Sequence, residues 1–265
     1  MTERVSRAIL IALFLGMLGA GIFAPYPYAR QFRDEIAAPP ARAHLLGTDP
    51  LGRDRLSRLW YGGRISVLLA PAATLLSVGI ALLIALASVI LGRWWERAVK
   101  TAIDLFLSLP WLFLLLTVRG LLPLNTPPAA SLLVTFALLG LLGWPGPARV
   151  LIAAAERQAQ SDYVLQTRAR GCGAWRTALR HIAPNLAPVI RAQFWTTAPA
   201  YLLAEANLAL LGLGIAEPMP SWGNLLRELQ NPAVAHDIAV WIPLILLVIT
   251  MGCCQLAEPI EEASL

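Results

Sequence analysis

Long apolar runs, separated by short polar and basic stretches, dominate the pattern of this 265-residue chain. The runs cover residues 8–24, 66–91, 103–122, 129–148, 189–213 and 238–256. A helix rises about 1.5 Å per residue and the hydrocarbon core of a bilayer is about 30 Å thick, so roughly 20 residues suffice to cross it. The pattern therefore predicts an all-α membrane protein with about six transmembrane helices, the fourth of them kinked by the prolines at 145 and 147.

Composition supports a membrane protein and excludes several other classes. The chain is 57% hydrophobic and only 14% charged, with a mean hydropathy of +0.63, which excludes an ordinary soluble domain. We attribute the pI near 9.6 to contact with anionic membrane lipid rather than with nucleic acid. The region before Lys100 lacks the glycine pattern of a phosphate-binding loop, so we expect no bound nucleotide and no cofactor in this chain. The three histidines are scattered, and no metal site is predicted.

The basic residues favour cytoplasmic N- and C-termini. Arg4 and Arg7 precede the first apolar run, and the short basic connection 92–102 is the clearest indication of an inner loop. A cleaved signal peptide is the alternative interpretation of the first run. We favour an uncleaved anchor, because Ile22 is a poor residue at the third position before a cut after Ala24.

A basic, amphipathic insert at 161–188 interrupts the apolar runs. Its residues predict a first short helix that Ser161 caps, a flexible break at 171–173, and a second short helix that Pro184 stops. One side of the two helices is polar and the other apolar. The polar side carries Arg168, Arg170, Arg176 and Arg180, and the apolar side carries Val164, Leu165, Trp175 and Leu179.

This insert resembles the cytoplasmic coupling loop, the EAA loop, of permease subunits of binding-protein-dependent ABC importers. The residues that fall on the positions of its pattern are Gln166, Thr167, Arg168, Ala169, Gly171, Ile182 and Pro184. The sequence departs from the pattern at its start, because Leu165 stands where the family usually has Glu, and Gln166 and Thr167 stand where it usually has two alanines. The resemblance implies that the insert contacts an ATPase. The departure at Leu165 leaves the strength of that coupling open.

Two further segments resemble the dipeptide, oligopeptide and nickel branch of the same permeases. They are HLLGTDPLGRDRLSRLWYGGRIS at 44–66 and LAEANLALLGLGIAEPMPSWGN at 203–224. In the first, Gly47 and Gly52 permit tight turns, and Asp49 and Asp54 can cap a helix or pair with arginines. We interpret 44–66 as a solvated, self-paired charged loop rather than as an element that contacts the partner subunit or the binding protein.

Glu205 lies inside the fifth apolar run, where an ionisable group is costly and becomes a candidate functional residue. One interpretation places Glu205 on the translocation path, near a cationic group of the solute. The other makes it a protonated or hydrogen-bonded carboxyl that holds helices together, and we favour this second interpretation.

The resemblance implies an ABC type I importer permease (MetI-like) fold with a cytoplasmic coupling-helix loop. We expect an N-terminal anchor and the start of an extracytoplasmic loop at 1–43, an extracytoplasmic segment at 44–65, the permease core at 66–256 and a C-terminal tail at 257–265. The implied partners are a second permease subunit, two ABC ATPase subunits that use ATP and Mg, and an extracytoplasmic solute-binding protein. The implied location is the bacterial inner membrane, and no catalytic residue is expected in this chain.

The expected function is that of a permease subunit that translocates peptides or similar small solutes in an ATP-driven importer. Alternatives are an importer of nickel chelates or other non-peptide solutes, and a permease-like scaffold with weakened or lost ATPase coupling. A secondary transporter would need inverted repeats, and a membrane enzyme would need a catalytic cluster at one depth. The sequence shows neither pattern.

Overall fold

The computed structural model describes residues 2–121 and 127–257, and every regular element in these ranges is helical. The α-helices are α1 (Thr2–Leu18), α2 (Ala20–Phe23), α3 (Arg55–Leu91), α4 (Arg93–Ser108), α5 (Trp111–Gly120), α6 (Pro128–Leu142), α7 (Pro145–Ala159), α8 (Asp162–Ala169), α9 (Ala174–Thr177), α10 (Ala187–Leu210), α11 (Trp222–Leu226) and α12 (Ile238–Ala257). A π-helix at Ala178–Ile182 and 3₁₀ helices at Ala183–Leu186 and Arg227–Gln230 complete the set. Met1, Leu122 at the end of the third predicted run, and the predicted C-terminal tail after Ala257 lie outside the described residues.

Each predicted apolar run coincides with helix, but fewer than six helices are long and apolar enough to span a membrane alone. Among the described residues three meet that criterion, namely α3, the pair α6–α7 and α12, and the bent pair α4–α5 makes a fourth if it is one span. α1 has only 17 residues, and α10 carries polar side chains such as Gln193 and Glu205 along its length. The all-α membrane fold is therefore confirmed, and the count of six spans stays a prediction.

The third and fourth apolar runs each contain a break in the helical backbone. α4 and α5 meet at an angle of 82° across Leu109 and Pro110. α6 ends at Leu142 and α7 begins at Pro145, so the predicted interruption of the fourth run is confirmed. Non-helical backbone at membrane depth is tolerated where it is buried in protein or lines a cavity, which makes both breaks candidate functional features.

α3 is the central helix, and three apolar clusters follow its length. Near its start, Leu59 packs in a cluster with Met17, Trp222 and Leu225. Ala70 and Ala73 belong to a middle cluster with α6 and α10, and residues 78–86 belong to a third cluster with α7 and the insert. At about 1.5 Å per residue, Leu59 and Leu86 are about 40 Å apart along the axis. The segment 44–58 and the insert therefore lie at opposite ends of α3.

Candidate functional site

The first half of the insert folds as a short helix that ends at a glycine. α8 covers Asp162–Ala169, and Gly171 follows with a φ of +85°. Its N–H donates to the Arg168 carbonyl at 2.9 Å, and the Cys172 N–H donates to the Thr167 carbonyl at 3.3 Å. These two bonds form a Schellman motif, in which glycine best tolerates the left-handed conformation. The predicted break is confirmed, but Ser161 makes no side-chain cap, because its hydroxyl donates to the Gln158 carbonyl at 2.6 Å.

The second half of the insert differs from its prediction. α9 ends at Thr177, but the helical path continues through the π-helix and the 3₁₀ helix directly into α10. Pro184 therefore does not stop it. Pro184 lies in the first turn of the 3₁₀ helix, where a backbone N–H is not needed, and the wide π turn before it changes the hydrogen-bond register.

The matched residues of the coupling-loop pattern divide into a buried anchor and an exposed face. Ile182 is fully buried and packs with Val164, Ala178 and Leu186 against α3 and α7. Thr167 is half-buried, and its hydroxyl donates to the Tyr163 carbonyl at 2.7 Å. The remaining members are exposed to solvent: Gln166, Arg168, Ala169, Gly171 and Pro184.

A hydrogen-bonded clamp between the two halves of the insert was missed by sequence reasoning. The Asn185 amide donates to the Tyr163 hydroxyl at 2.8 Å and to the His181 carbonyl at 2.7 Å. This clamp joins α8 to the segment that enters α10, so the two halves are held as one unit. The only sequence signal was an amide and a phenol in a basic segment, which is too common to predict a specific contact.

The exposed face of the insert combines apolar and basic side chains. Trp175 is 66% exposed, Leu165 50% and Leu179 44%. The arginines at 168, 170, 176 and 180 are exposed and form no ion pair with any described residue. We call these seven residues the insert face. Exposed large apolar groups beside unpaired charges mark a surface that another molecule covers.

The charged side chains of segment 44–58 are buried, so the interpretation of 44–66 as a solvated loop is wrong, although pairs within the segment do form. Gly47 and Gly52 have φ values of +70° and +72° and form the predicted turns. Asp54 caps α3 by accepting from the Ser57 N–H at 2.7 Å. Asp49 is 1% exposed and pairs with Arg53 at 2.6 Å, as the sequence predicts. Residues 215–237 cover this segment.

The ion pairs of this segment reach across the chain, which explains why it is buried. Arg53 donates to Glu217 at 2.6 Å, and Arg58 donates to the same carboxylate at 3.1 Å. Arg55 bonds to Glu228 at 3.0 Å and to Asp237 at 2.7 Å. Burial of charge is tolerated when each charge is paired, and sequence spacing alone could not identify partners more than 150 positions away. We call these seven residues (Asp49, Arg53, Arg55, Arg58, Glu217, Glu228 and Asp237) the ion-pair network.

Burial affects the acid–base chemistry of Glu228, a member of the network. It raises the pKa of the Glu228 carboxyl above its ordinary value, and the Arg55 guanidinium opposes that shift without cancelling it. His44 lies close by, with Nδ1 2.9 Å from Asp54 and Nε2 2.9 Å from Glu35. The His44 contacts hold residues 35–54 together, and the Arg55–Asp237 pair ties the start of α3 to the loop before α12.

Glu205 lies in a different polar contact, between α10 and α11. Its side chain is 1% exposed, and Oε1 accepts from the Ser221 hydroxyl at 2.6 Å. The same hydroxyl accepts from the Asn224 N–H at 3.1 Å and so caps α11. Glu205 also packs on Gly223, where an added Cβ would lie 2.7 Å from its carboxylate. The carboxyl therefore joins the two helices, and its place on a translocation path stays a prediction.

Known proteins of related sequence give the context for this geometry. Residues 67–254 match the family described as binding-protein-dependent transport system inner membrane component. A protein of Brucella suis biovar 1 (strain 1330), named as a peptide permease, is 30% identical over 229 residues, which cover 86% of this chain and 74% of that protein. The dipeptide transport system permease protein DppC of Bacillus subtilis (strain 168) is 30% identical over 244 residues, 92% of this chain and 74% of that protein.

The match to a third relative covers a larger share of that relative's length. The oligopeptide transport system permease protein OppC of Mycobacterium tuberculosis (strain ATCC 25618 / H37Rv) is 28% identical over 251 residues, 95% of this chain and 85% of that protein. The family match, the all-helical MetI-like architecture and the anchored insert agree with one another. The chain is thus a transporter subunit of the inner membrane, and it belongs to the family of binding-protein-dependent transport system inner membrane components.

Proposed function

We propose that this chain is one of two permease subunits of an ATP-driven importer in the bacterial inner membrane, and that the importer carries peptides or similar small solutes. An extracytoplasmic binding protein would deliver the solute. The peptide assignment is supported by the names of the related proteins, which are dipeptide, oligopeptide and peptide permeases. The observation that carries the proposal is the insert face, an unpaired basic and apolar surface fixed to the core of a member of this family.

ATP hydrolysis would occur in two partner ATPase subunits, with their own ATP and Mg. They would dock on the insert face and on Gln166, Thr167, Ala169, Gly171 and Pro184 around it. Arginines suit this role, because an exposed guanidinium can bond two carboxylate oxygens of a partner in one plane. Trp175 would supply the apolar centre of such an interface, and Trp and Arg are the residues that most often dominate binding energy.

The buried side of the insert would convert docking into motion of the helices. Val164 and Ile182 pack against α3 and α7, so a displacement of the clamped insert pushes on both helices. Closure of the ATPase pair would then bias the subunit between inward-open and outward-open states. Packed interfaces switch between discrete arrangements rather than deform continuously, which suits a rigid lever.

Both termini would lie in the cytoplasm. The Arg7 guanidinium donates to the Ala257 carbonyl at 3.3 Å, so the start of α1 and the end of α12 are on the same side of the molecule. This contact supports an even number of crossings. The short basic connection between α3 and α4 favours the cytoplasm for that side by the positive-inside rule.

Replacement of Gly171 by Pro tests the coupling role. Proline fixes φ near −65°, which is incompatible with the observed +85°, and it removes the N–H that bonds to Arg168. We expect loss of ATPase co-purification and of peptide-stimulated ATP hydrolysis in the complex reconstituted with the ATPases and binding protein of neighbouring genes. Gly173→Ala is the control, because Gly173 has a φ of −64° and open space at its Cβ.

Normal peptide transport by Gly171→Pro would contradict coupling through the insert. A wild-type chain that binds no ATPase would favour the uncoupled scaffold, for which the departure at Leu165 is the supporting observation. A complex that assembles but ignores every peptide would redirect the assignment to metal chelates or other solutes.

A further inference from the structure

A cavity of about 280 Å³ lies where the two broken helical runs face α10. The bend between α4 and α5 contributes Trp111, the break between α6 and α7 contributes Gly143 and Gly146, and α10 contributes Gln193 and Tyr201. Its volume is near the lower end of the range for small-molecule sites, about 300–1,000 Å³, and the cavity is open on one side. Both helix breaks of the described spans thus border one space.

Two prolines at the break between α6 and α7 remove helical donors beside this cavity. Pro145 and Pro147 have no N–H, so they cannot donate to the carbonyls four residues earlier, those of Leu141 and Gly143. Interrupted helices at membrane depth form solute sites in other transporters, because the freed backbone groups then have a partner.

The side chains that line the cavity are uncharged, but several can form hydrogen bonds. The side chains of Gln193 and Thr197 make no hydrogen bond with any described residue. Tyr201 is 2% exposed and packs against Gly143, and Ser77 is the polar side chain that faces its hydroxyl. Neither hydroxyl makes a hydrogen bond of acceptable geometry in the described part of the chain. Trp111 stacks on the Tyr201 ring with centroids 5.8 Å apart, so one wall is aromatic.

We propose that this cavity is the section of the translocation path that holds the solute, and that it binds the backbone amide of a peptide through Gln193 and Thr197. The inference rests on the proposed importer function. A carboxamide and a hydroxyl can each donate and accept, which matches the N–H and C=O of an amide. Because no charge lines the cavity, it does not select peptides by side-chain charge. The aromatic wall of Trp111 and Tyr201 accepts apolar side chains.

The cavity is a better path candidate than Glu205. The Glu205 carboxyl is already bonded to Ser221 and buried against Gly223, so a passing solute would have to break a contact that caps α11. Gln193 and Thr197 need no such rearrangement, because both are partly accessible and lack partners in the described chain.

The test uses the complete importer, reconstituted in vesicles with both permeases, the ATPases and the binding protein. Uptake of a cationic, an anionic and a neutral dipeptide is measured beside binding-protein-stimulated ATP hydrolysis. Gly146→Phe places a bulky ring at a residue that lines the cavity, and nothing lies within 4 Å of an added Cβ there. Gly79→Phe on α3 is the matched control, with equally open space at a position that does not line this cavity.

We expect Gly146→Phe to lower uptake of all three peptides at least tenfold, while ATP hydrolysis and the Gly79→Phe control stay near wild type. The pair Gln193→Leu and Thr197→Val removes the polar groups at nearly constant volume, and we expect roughly a three- to tenfold loss for each hydrogen bond. Wild-type uptake in both variants, or a loss confined to peptides of one charge, would overturn the inference. Failure of Gly146→Phe to assemble with the second permease would also overturn the inference, because the cavity would then be a contact between the subunits. A wild-type importer that moves no peptide would instead overturn the proposed function.

Discussion

Two arginine-rich regions at opposite ends of α3 differ in the burial and the pairing of their arginines. In the ion-pair network, Arg53, Arg55 and Arg58 are each less than a tenth exposed, and each bonds to a carboxylate of the same chain. On the insert face, four arginines are exposed and bond to no carboxylate of the described chain. Both regions present several arginines, and they differ in whether the fold supplies carboxylate partners for them.

The comparison teaches how to separate a structural charge cluster from a docking surface. A buried charge needs a paired partner nearby, so the network is held by the loops that supply Glu217, Glu228 and Asp237. An exposed charge remains solvated and contributes little to folding stability. It contributes to binding when a second molecule covers it. Substitutions in the network should therefore affect folding, and substitutions on the insert face should affect assembly.

Asp49→Ala should have the largest effect on stability. Asp49 accepts from the N–H groups of Leu51 and Arg53, pairs with the Arg53 side chain, and lies 3.7 Å from Arg58. Its removal leaves buried guanidinium charge without compensation, so we expect the free energy of unfolding to fall by about 3–5 kcal/mol. Unfolding of the purified chain in detergent measures this change.

Asp162→Ala is the matched control, because Asp162 is exposed in the first turn of α8. Its favourable interaction with the helix dipole is worth at most about 1 kcal/mol. If both substitutions changed the free energy of unfolding equally, the distinction between the two regions would fail.

Gly223→Ala should have the next largest effect. An added Cβ would lie 2.7 and 2.8 Å from the two carboxylate oxygens of Glu205, and 2.9 Å from the backbone Cα of Ala206. We expect a loss of about 1–3 kcal/mol in the free energy of unfolding, typical of overpacking. Gly173→Ala in the insert has open space and should be neutral or slightly stabilising. Equal stability of the two variants would show that α10 and α11 are loosely packed.

The double substitution of Trp175 and Leu179 by Ser should leave the stability of the isolated subunit within about 0.5 kcal/mol of wild type, because both side chains are largely exposed. Retention of ATPase subunits in co-purification should nevertheless fall about tenfold or more, as for an interface anchor. Ile36→Ser is the control, since Ile36 is 58% exposed and remote from the insert. A large loss of stability without loss of ATPase binding would show that the insert face is structural.

The smallest predicted effect is a pH dependence from Glu228. Because burial raises its pKa, the native state binds a proton more readily than the unfolded state does. Its contribution to stability is therefore fully present below the ordinary carboxyl pKa of 4.5 and is lost as pH rises through the raised native value. Thermal unfolding of wild type and Glu228→Gln across this range should show wild type losing stability relative to the variant. The opposite slope would mean that the Arg55 ion pair outweighs burial.

The sequence predicted correctly those structural features that depend only on neighbouring residues. The break at Gly171, the turns at Gly47 and Gly52, and the cap at Asp54 follow from conformational freedom and from side-chain reach over a few positions. Sequence reasoning failed at Pro184, because a π turn upstream changes the register that decides whether a proline ends a helix.

The sequence by itself determined the membrane class, the insert and the family resemblance, because hydrophobic run length and short motifs are properties of adjacent residues. Only the tertiary structure decided that segment 44–58 is buried, that Asn185 clamps the insert to Tyr163, and that two helix breaks border one cavity. Each of these depends on partners far along the chain. Arg55 and Asp237 illustrate the physical reason: whether a charge is solvated or buried is set by the partner that folding brings within 2.7 Å, and no local pattern encodes that distance.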